Sequence, residues 1–112
     1  MIKNFNKYLS YRQKTLFLEE VSLEQLIKNH NTPIYCYSLS ELSDNFNKLK
    51  NSFKKIKPLI CYAVKANNNK HIIRHLAKEG CGADVVSKGE LKKSLENGIP
   101  PGKIVFSGVG TT

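Results

Sequence analysis

From Leu59 onward, short apolar runs along the chain alternate with helical stripes. Residues 59–64 are apolar or aromatic at every position, which is typical of a parallel strand that is buried on both faces. Residues 83–87 and 103–107 are two further predicted strands, and a predicted helix precedes each of them. This order of strand, helix, strand, helix and strand predicts an α/β fold with a parallel sheet.

The first part of the chain is less regular. Residues 1 to about 15 are polar and aperiodic, and they predict an N-terminal arm that needs another surface to lie against. Weak strand character at residues 16–21 is followed by a short predicted helix that ends near Asn29. Residues 32–37 contain the aromatic and branched side chains that strands prefer, so we expect a strand there.

The predicted helices have recognisable starting residues. Ser22, Ser38 and Ser87 are each followed three positions later by glutamine or glutamate, which is the spacing of a capping box. Asn68 or Asn69 is expected to cap the helix after residues 59–64. The helix that begins near Ser38 carries an apolar stripe that we expect to pack into the core: Leu42, Phe46, Leu49 and Phe53.

Length and charge limit the classes of function. The 112 residues are enough for one modest core, so a single domain is the default expectation. A formal net charge of +9 raises the possibility of a nucleic-acid partner. Lysine outnumbers arginine, however, and only residues 54–57 form a local basic run. We therefore expect no nucleic-acid partner, and a basic nucleic-acid-binding module is kept as an alternative.

Cysteine and histidine positions predict neither disulfides nor a metal site. The three cysteines are odd in number and have no metal-ligand spacing, which favours free thiols in a cytoplasmic protein. No apolar segment is long enough to span a bilayer, and the N-terminus does not resemble a signal peptide. His71 and His75 have a spacing that some metal sites use, but no third ligand is nearby in sequence. We expect both histidines to be solvated.

Lys65 stands directly after the apolar run and before three asparagines. Because strand residues alternate sides, the pattern predicts that Lys65 ends the strand on the same face as Leu59, Cys61 and Ala63. Two interpretations are open from the residues alone. The lysine stem could be buried while its ammonium group reaches water. Alternatively, the amine could stand in a cavity that favours its neutral form, in which it can attack an aldehyde.

Three segments resemble one enzyme family. Tyr62-Ala-Val-Lys-Ala-Asn67 is similar to the pyridoxal-phosphate lysine motif of the alanine-racemase-like barrel enzymes, and residues 82–91 and 99–110 resemble their diaminopimelate decarboxylase branch. The resemblance implies a partial (β/α)8 TIM barrel of about three strands with their helices, preceded by the arm. Its domains would be an arm with a short helix over 1–31 and an incomplete pyridoxal-phosphate-binding barrel domain over 32–112. Because such a barrel typically has ~250 residues, the resemblance implies an amino-terminal portion.

The same resemblance assigns site residues and chemistry. It implies that Lys65 is the catalytic lysine that binds pyridoxal 5′-phosphate covalently, that Ala63 lines the cofactor ring, and that Asp84 belongs to the cofactor surroundings. The implied reaction is decarboxylation of the amino acid meso-diaminopimelate to L-lysine by a homodimer. Asp84 has an equally good structural interpretation, as an acid held by strand-end amides or a cation. Glu90 also matches a family acid, but its capping box explains it without a catalytic role.

Other functions remain open at this stage. The chain could belong to another decarboxylase or a racemase of the same barrel family. It could also be a non-catalytic remnant, or a subunit that assembles with a separately encoded C-terminal part. The family's phosphate-binding loops and the acid that pairs with the pyridine nitrogen would lie beyond residue 112. We therefore expect negligible decarboxylase activity from this chain alone.

Overall fold

The computed structural model describes residues 2–4 and 6–108, and the chain divides into two compact units, residues 1–42 and 43–112. The first unit contains a four-stranded antiparallel sheet in which each strand pairs with the next in sequence. Its elements are β1 (Ile2–Asn4), β2 (Leu9–Arg12), β3 (Thr15–Leu18), β4 (Val21–Ser22) and helix α1 (Leu23–Asn29).

This sheet replaces the arm that the sequence predicted for residues 1 to about 15. The hairpin between β2 and β3 has a two-residue turn, in which Gln13 and Lys14 both adopt positive φ angles of 50° and 70°. Such turns suit the twist of paired strands, but they usually contain asparagine or glycine. Because Gln-Lys is not a hairpin signal, the residues gave no sign of the turn.

Arg12 connects the hairpin to the following turn. Its guanidinium lies 4.7 Å from the centre of the Phe17 ring, and its Nη1 donates to Glu20 Oε2 at 3.0 Å. The hydrogen bond to Glu20 raises the pKa of Arg12, and the same bond lowers the pKa of Glu20. The contact therefore joins β2, β3 and the turn before β4.

The strand predicted at residues 32–37 is not present. These residues have irregular backbone, and Tyr35 is 90% exposed. Strand preference reflects packing against neighbours, and no strand among the described residues pairs with this segment. Aromatic and branched side chains alone were therefore a misleading signal here.

Helix α2 (Leu39–Ser52) confirms the helix predicted after Ser38, and the Ser38 hydroxyl accepts the Glu41 N–H at 3.1 Å. Its predicted apolar stripe is only partly correct, because Phe46 is buried whereas Leu49 and Phe53 are each 47% exposed. Ser22 precedes α1 without a capping hydrogen bond from its side chain, so the first predicted capping box is wrong.

The second unit is a parallel sheet in the order β5-β6-β7, which confirms the predicted α/β arrangement. Ala63 lies beside Asp84 in the register, and Asp84 lies beside Val105. The elements follow in the predicted order: β5 (Cys61–Ala63), α3 (Lys70–Lys78), β6 (Gly82–Val85), α4 (Lys88–Glu96) and β7 (Ile104–Phe106).

The core of this unit lies between the sheet and its helices. Its buried members are apolar residues from the strands, from α3 and from the loops: Val64, Ile73, Ala83, Val85 and Ile99. Asn69 caps α3 by accepting the His71 N–H at 2.8 Å, and Gly80 ends it with a φ angle of +92°. These local signals explain why the sequence predicted α3 well.

Polar contacts connect the helices of the second unit. Arg74 on α3 donates to Asn97 Oδ1 at 2.9 Å. The Ser43 hydroxyl lies 2.6 Å from His75 Nε2 and 2.8 Å from Glu79 Oε1. The sequence predicted that His75 is solvated. In the structure it has a hydrogen-bond partner on α2, which lies far from it in sequence.

Candidate cofactor site at the carboxyl ends of the parallel strands

Lys65 lies on a short 3-10 turn, Val64–Ala66, that begins directly after β5. Val64 is fully buried in the core, whereas the Lys65 side chain is exposed. The predicted strand over residues 59–64 is thus shortened to three residues, and strand alternation does not extend to Lys65. The reason is that the backbone coils after Ala63, where the Asn67 N–H donates to the Val64 carbonyl at 3.2 Å.

A hydrogen bond from Tyr62 closes the segment that contains Lys65. The Tyr62 hydroxyl donates to the backbone carbonyl of Asn67 at 2.7 Å. The Asn67 side chain in turn accepts the Asn69 N–H at 3.0 Å, next to the start of α3. The connection between β5 and α3 is therefore held by its own side chains. Sequence reasoning missed this role for Tyr62, and its spacing to Asn67 matches no standard motif.

On β5 and β6, the face of the sheet opposite to the core carries small side chains and one carboxylate. Ala83 and Val85 belong to the core, so the alternate residues Gly82 and Asp84 lie on the other face. In the parallel register, Cys61 lies beside Gly82 and Ala63 lies beside Asp84. The structure thus brings together two of the predicted site residues, Ala63 and Asp84, and places Lys65 two residues beyond Ala63.

Gly82 is required by the close approach of the neighbouring strands. A Cβ atom at this position would collide with the Lys103 carbonyl oxygen and would stand 2.9 Å from the Cys61 Sγ atom. Glycine at this position therefore allows the backbone at Lys103 to lie directly against β6. Burial, and secondarily the charge of Asp84, raises the pKa of the Cys61 thiol, so that this face carries a neutral thiol at neutral pH.

Asp84 is engaged by a serine that the sequence did not single out. The Ser107 hydroxyl donates to Asp84 Oδ1 at 2.6 Å. No described lysine or arginine forms an ion pair with Asp84. The alternative interpretation was an acid held by strand-end amides or a cation, and its cation has no counterpart in the described part of the chain.

Glu90 performs a capping role. Its carboxylate accepts the Val86 N–H at 3.0 Å, while Ser87 Oγ accepts the Glu90 N–H at 3.2 Å. The capping box predicted at Ser87 is confirmed in its serine half. In a standard capping box, the glutamate side chain would accept the N–H of the cap residue, Ser87. Here it accepts the N–H of the preceding residue, Val86.

Other possible sites carry less chemistry. No group of three histidine, cysteine or acidic residues in the described ranges could hold a metal ion. A cavity of about 630 Å³ lies in the first unit and is lined by none of the predicted site residues. No helix in the described part of the chain is both long and apolar enough to cross a membrane.

The residues present fit the aldehyde end of a pyridoxal cofactor. A primary amine on a tight turn provides an attachment point, and the carboxylate of Asp84 lies one strand away, beside the small Ala63. Residues 39–112 match the family model described as pyridoxal-dependent decarboxylase, pyridoxal binding domain. The chain belongs to the pyridoxal-dependent decarboxylases. This family uses the cofactor that the sequence motif predicted.

Similar proteins narrow the branch of the family. The chain is 46% identical to a diaminopimelate decarboxylase of Aquifex aeolicus, over 100% of this chain and 26% of the relative. It is 49% identical to that of Helicobacter pylori strain J99, over 78% of this chain and 22% of the relative. The resemblance to the diaminopimelate decarboxylase branch is thereby confirmed. The chain spans about a quarter of the length of these relatives.

Solved structures agree with the predicted fold. The diaminopimelate decarboxylase of M. jannaschii has a TM-score of 0.86 at 36% identity, over 92% of this chain and 25% of that chain. The Helicobacter pylori enzyme, complexed with L-lysine, has a TM-score of 0.74 at 48% identity, over 79% and 22% of the two chains. The prediction of a partial pyridoxal-binding barrel is confirmed.

Proposed function

We propose that this chain forms the amino-terminal part of the cofactor site of a diaminopimelate decarboxylase. The observation that carries the proposal is the position of Lys65, directly after a parallel strand whose last residue lies beside Asp84. In parallel barrels the reacting groups gather at this end of the strands. The substrate would be meso-diaminopimelate and the product L-lysine, in cytoplasmic lysine biosynthesis.

Each site residue has a proposed task. Lys65 would attach the cofactor through its amine and would be displaced by the amino group of the substrate. When bound, the pyridoxal ring accepts the electron pair that is left when carbon dioxide departs. Ala63 would leave space for the ring, and Asp84 would hold a negative charge beside it. Tyr62 would fix the turn that carries Lys65, through its bond to the Asn67 carbonyl.

The choice of substrate rests on the similar proteins. The similar proteins from Aquifex aeolicus and Helicobacter pylori are diaminopimelate decarboxylases, and the Helicobacter pylori structure contains L-lysine. Lysine is the product of the proposed reaction, which supports the assignment. A second candidate, a decarboxylase of another basic amino acid, is favoured by the general scope of the matched family model.

The complete site would need further groups. Lys65 is exposed among the described residues, and the chain spans about a quarter of its relatives' length. One amine and one carboxylate would bind the cofactor weakly, since neither of them holds the phosphate group of the cofactor in place. We therefore propose that the chain alone has negligible decarboxylase activity, and that it acts with the remaining three quarters of the enzyme in a homodimer. That remainder would be on the same chain or separately encoded.

The proposal is tested by trapping the cofactor. Pyridoxal 5′-phosphate is added to the chain, any imine is reduced with borohydride, and the modified lysine is located by mass spectrometry of peptides. We expect modification concentrated at Lys65 and lost in Lys65→Ala. Lys70→Ala is the matched control, because Lys70 is also exposed and lies only five residues further on. Equal modification of many surface lysines, with Lys65 not preferred, would contradict the proposal.

A further inference from the structure

Ser107 is fixed against β6 by two hydrogen bonds at the carboxyl end of the sheet. Its backbone N–H donates to the Val85 carbonyl at 2.9 Å, so the ladder between β6 and β7 continues to this residue. Its side-chain hydroxyl donates to Asp84 Oδ1 at 2.6 Å. Ser107 follows Val105 by two residues, and Val105 is the register partner of Asp84. The backbone geometry and the side-chain contact therefore place the hydroxyl beside the carboxylate.

Gly108 allows this close approach. A Cβ atom at residue 108 would collide with the Val86 carbonyl oxygen and would stand 2.8 Å from Phe106 Cε1. The chain after β7 thus lies directly against the chain after β6. Only glycine fits without moving one of these segments, and such a movement would draw Ser107 away from Asp84.

The chemistry of the contact is directional. A serine hydroxyl has one proton to donate, and here that proton is directed to Asp84. Donation to one carboxylate oxygen restricts the rotation of the carboxylate group. Since no described cation pairs with Asp84, the hydroxyl is the group that orients it within the described part of the chain.

We propose that Ser107 is a positioning residue that holds the Asp84 carboxylate in a fixed orientation at the carboxyl end of the sheet, one strand away from the segment that carries the pyridoxal-binding lysine. The inference rests on the proposed function, because Asp84 has a task only if the cofactor binds at Lys65. Ser107 does not touch the reacting atoms in this interpretation. It acts through Asp84, and its removal has no consequence for the cofactor when Asp84 is already absent.

The first test observes Asp84 directly, without cofactor. The sequence contains two aspartates, Asp44 and Asp84, so labelling aspartate with ¹³C gives two carboxyl signals. We expect Ser107→Ala to displace the Asp84 signal at neutral pH, to leave the Asp44 signal in place, and Ser107→Thr to restore the original position. Ser52→Ala is the control, since that hydroxyl donates to the Lys48 carbonyl at the exposed end of α2. An unmoved Asp84 signal in Ser107→Ala overturns the proposal.

The second test measures the rate of cofactor trapping at Lys65 in four chains: wild type, Ser107→Ala, Asp84→Asn and the double variant. We expect trapping to be roughly 10- to 100-fold slower in Ser107→Ala, the range that corresponds to one hydrogen bond to a charged group. We expect no further loss when Ser107→Ala is added to Asp84→Asn. Absence of trapping in the wild type overturns the proposed function and this inference with it. Trapping that is normal in Ser107→Ala, or additive losses in the double variant, overturns the inference alone.

Discussion

The two units of the chain stabilise their sheets in different ways. In the second unit, α3 and α4 connect adjacent parallel strands and cover one face, and the buried residues reach 0 to 3% exposure. In the first unit, every residue of β3 is only partly buried, and residues 32–37 are largely exposed. The candidate site lies on the unit that has a dense core. We therefore expect the geometry around Lys65 to depend on that core.

The largest expected difference between the units is the cost of removing an aliphatic side chain. Ile73 is 1% exposed in the core, so Ile73→Ala should lower the free energy of unfolding by about 2–5 kcal/mol. Leu16→Ala on β3 removes a side chain of similar size from a partly exposed position and should cost clearly less. Urea unfolding followed by circular dichroism measures both. Equal losses would show that the first unit is as well packed as the second.

Thiol reactivity gives a second contrast. Burial raises the pKa of Cys81 to about 11, so only about a thousandth of this thiol is ionised at pH 8. Cys36 in the first unit is exposed. We expect iodoacetamide to modify Cys36 at least about a hundredfold faster than Cys81, with similar rates once the chain is unfolded in urea. Mass spectrometry of peptides follows each site, and rapid modification of Cys81 in the folded chain would contradict its burial.

A glycine pair tests how tightly the parallel strands approach one another. Gly82→Ala places a methyl group against the Lys103 carbonyl and should destabilise the chain by about 1–3 kcal/mol. Gly102→Ala is the matched control, because nothing lies within 4 Å of a Cβ atom there, and it should change stability by less than about 1 kcal/mol. Thermal unfolding compares the two variants. A harmless Gly82→Ala would mean that the sheet can widen at this point.

The smallest expected effect is the pH dependence of the Arg12–Glu20 pair in the first unit. The pKa of Glu20 is lowered on folding, so its stabilisation is present above the ordinary pKa of 4.5 and is lost as the pH falls through the lower folded value. Glu20→Gln should therefore lower the midpoint temperature of thermal unfolding slightly at pH 7 and not at all at pH 2. Both groups are solvated, so a large effect at pH 7 would be inconsistent with the structure.

The sequence predicted most of the second unit because its signals are local. Asn69 and Ser87 cap the helices that they were expected to cap, and Gly80 ends α3 with a positive φ angle. The hairpin at Gln13 and Lys14 was missed because those residues seldom form such turns. The prediction of a strand at residues 32–37 was wrong. Strand propensity does not show whether a neighbouring strand is available to pair with the segment.

The candidate site was predicted only in part. The roles proposed for Lys65, Ala63 and Asp84 came from family resemblance, and the parallel register accounts for the neighbouring positions of Ala63 and Asp84. The departure of Lys65 from the strand alternation could not be derived, since the change from strand to 3-10 turn at Val64 has no sequence signal. The contact between Ser107 and Asp84 joins residues 23 positions apart, beyond the reach of local patterns.

The contact of Ser43 with both His75 and Glu79 limits where hydrogen atoms can sit. A serine hydroxyl has a single proton, and two acceptors cannot both receive it. If Glu79 accepts this proton at 2.8 Å, the His75 Nε2 atom must carry its own hydrogen and point it at the serine oxygen 2.6 Å away. The neutral imidazole then exists as one tautomer, with its lone pair on Nδ1.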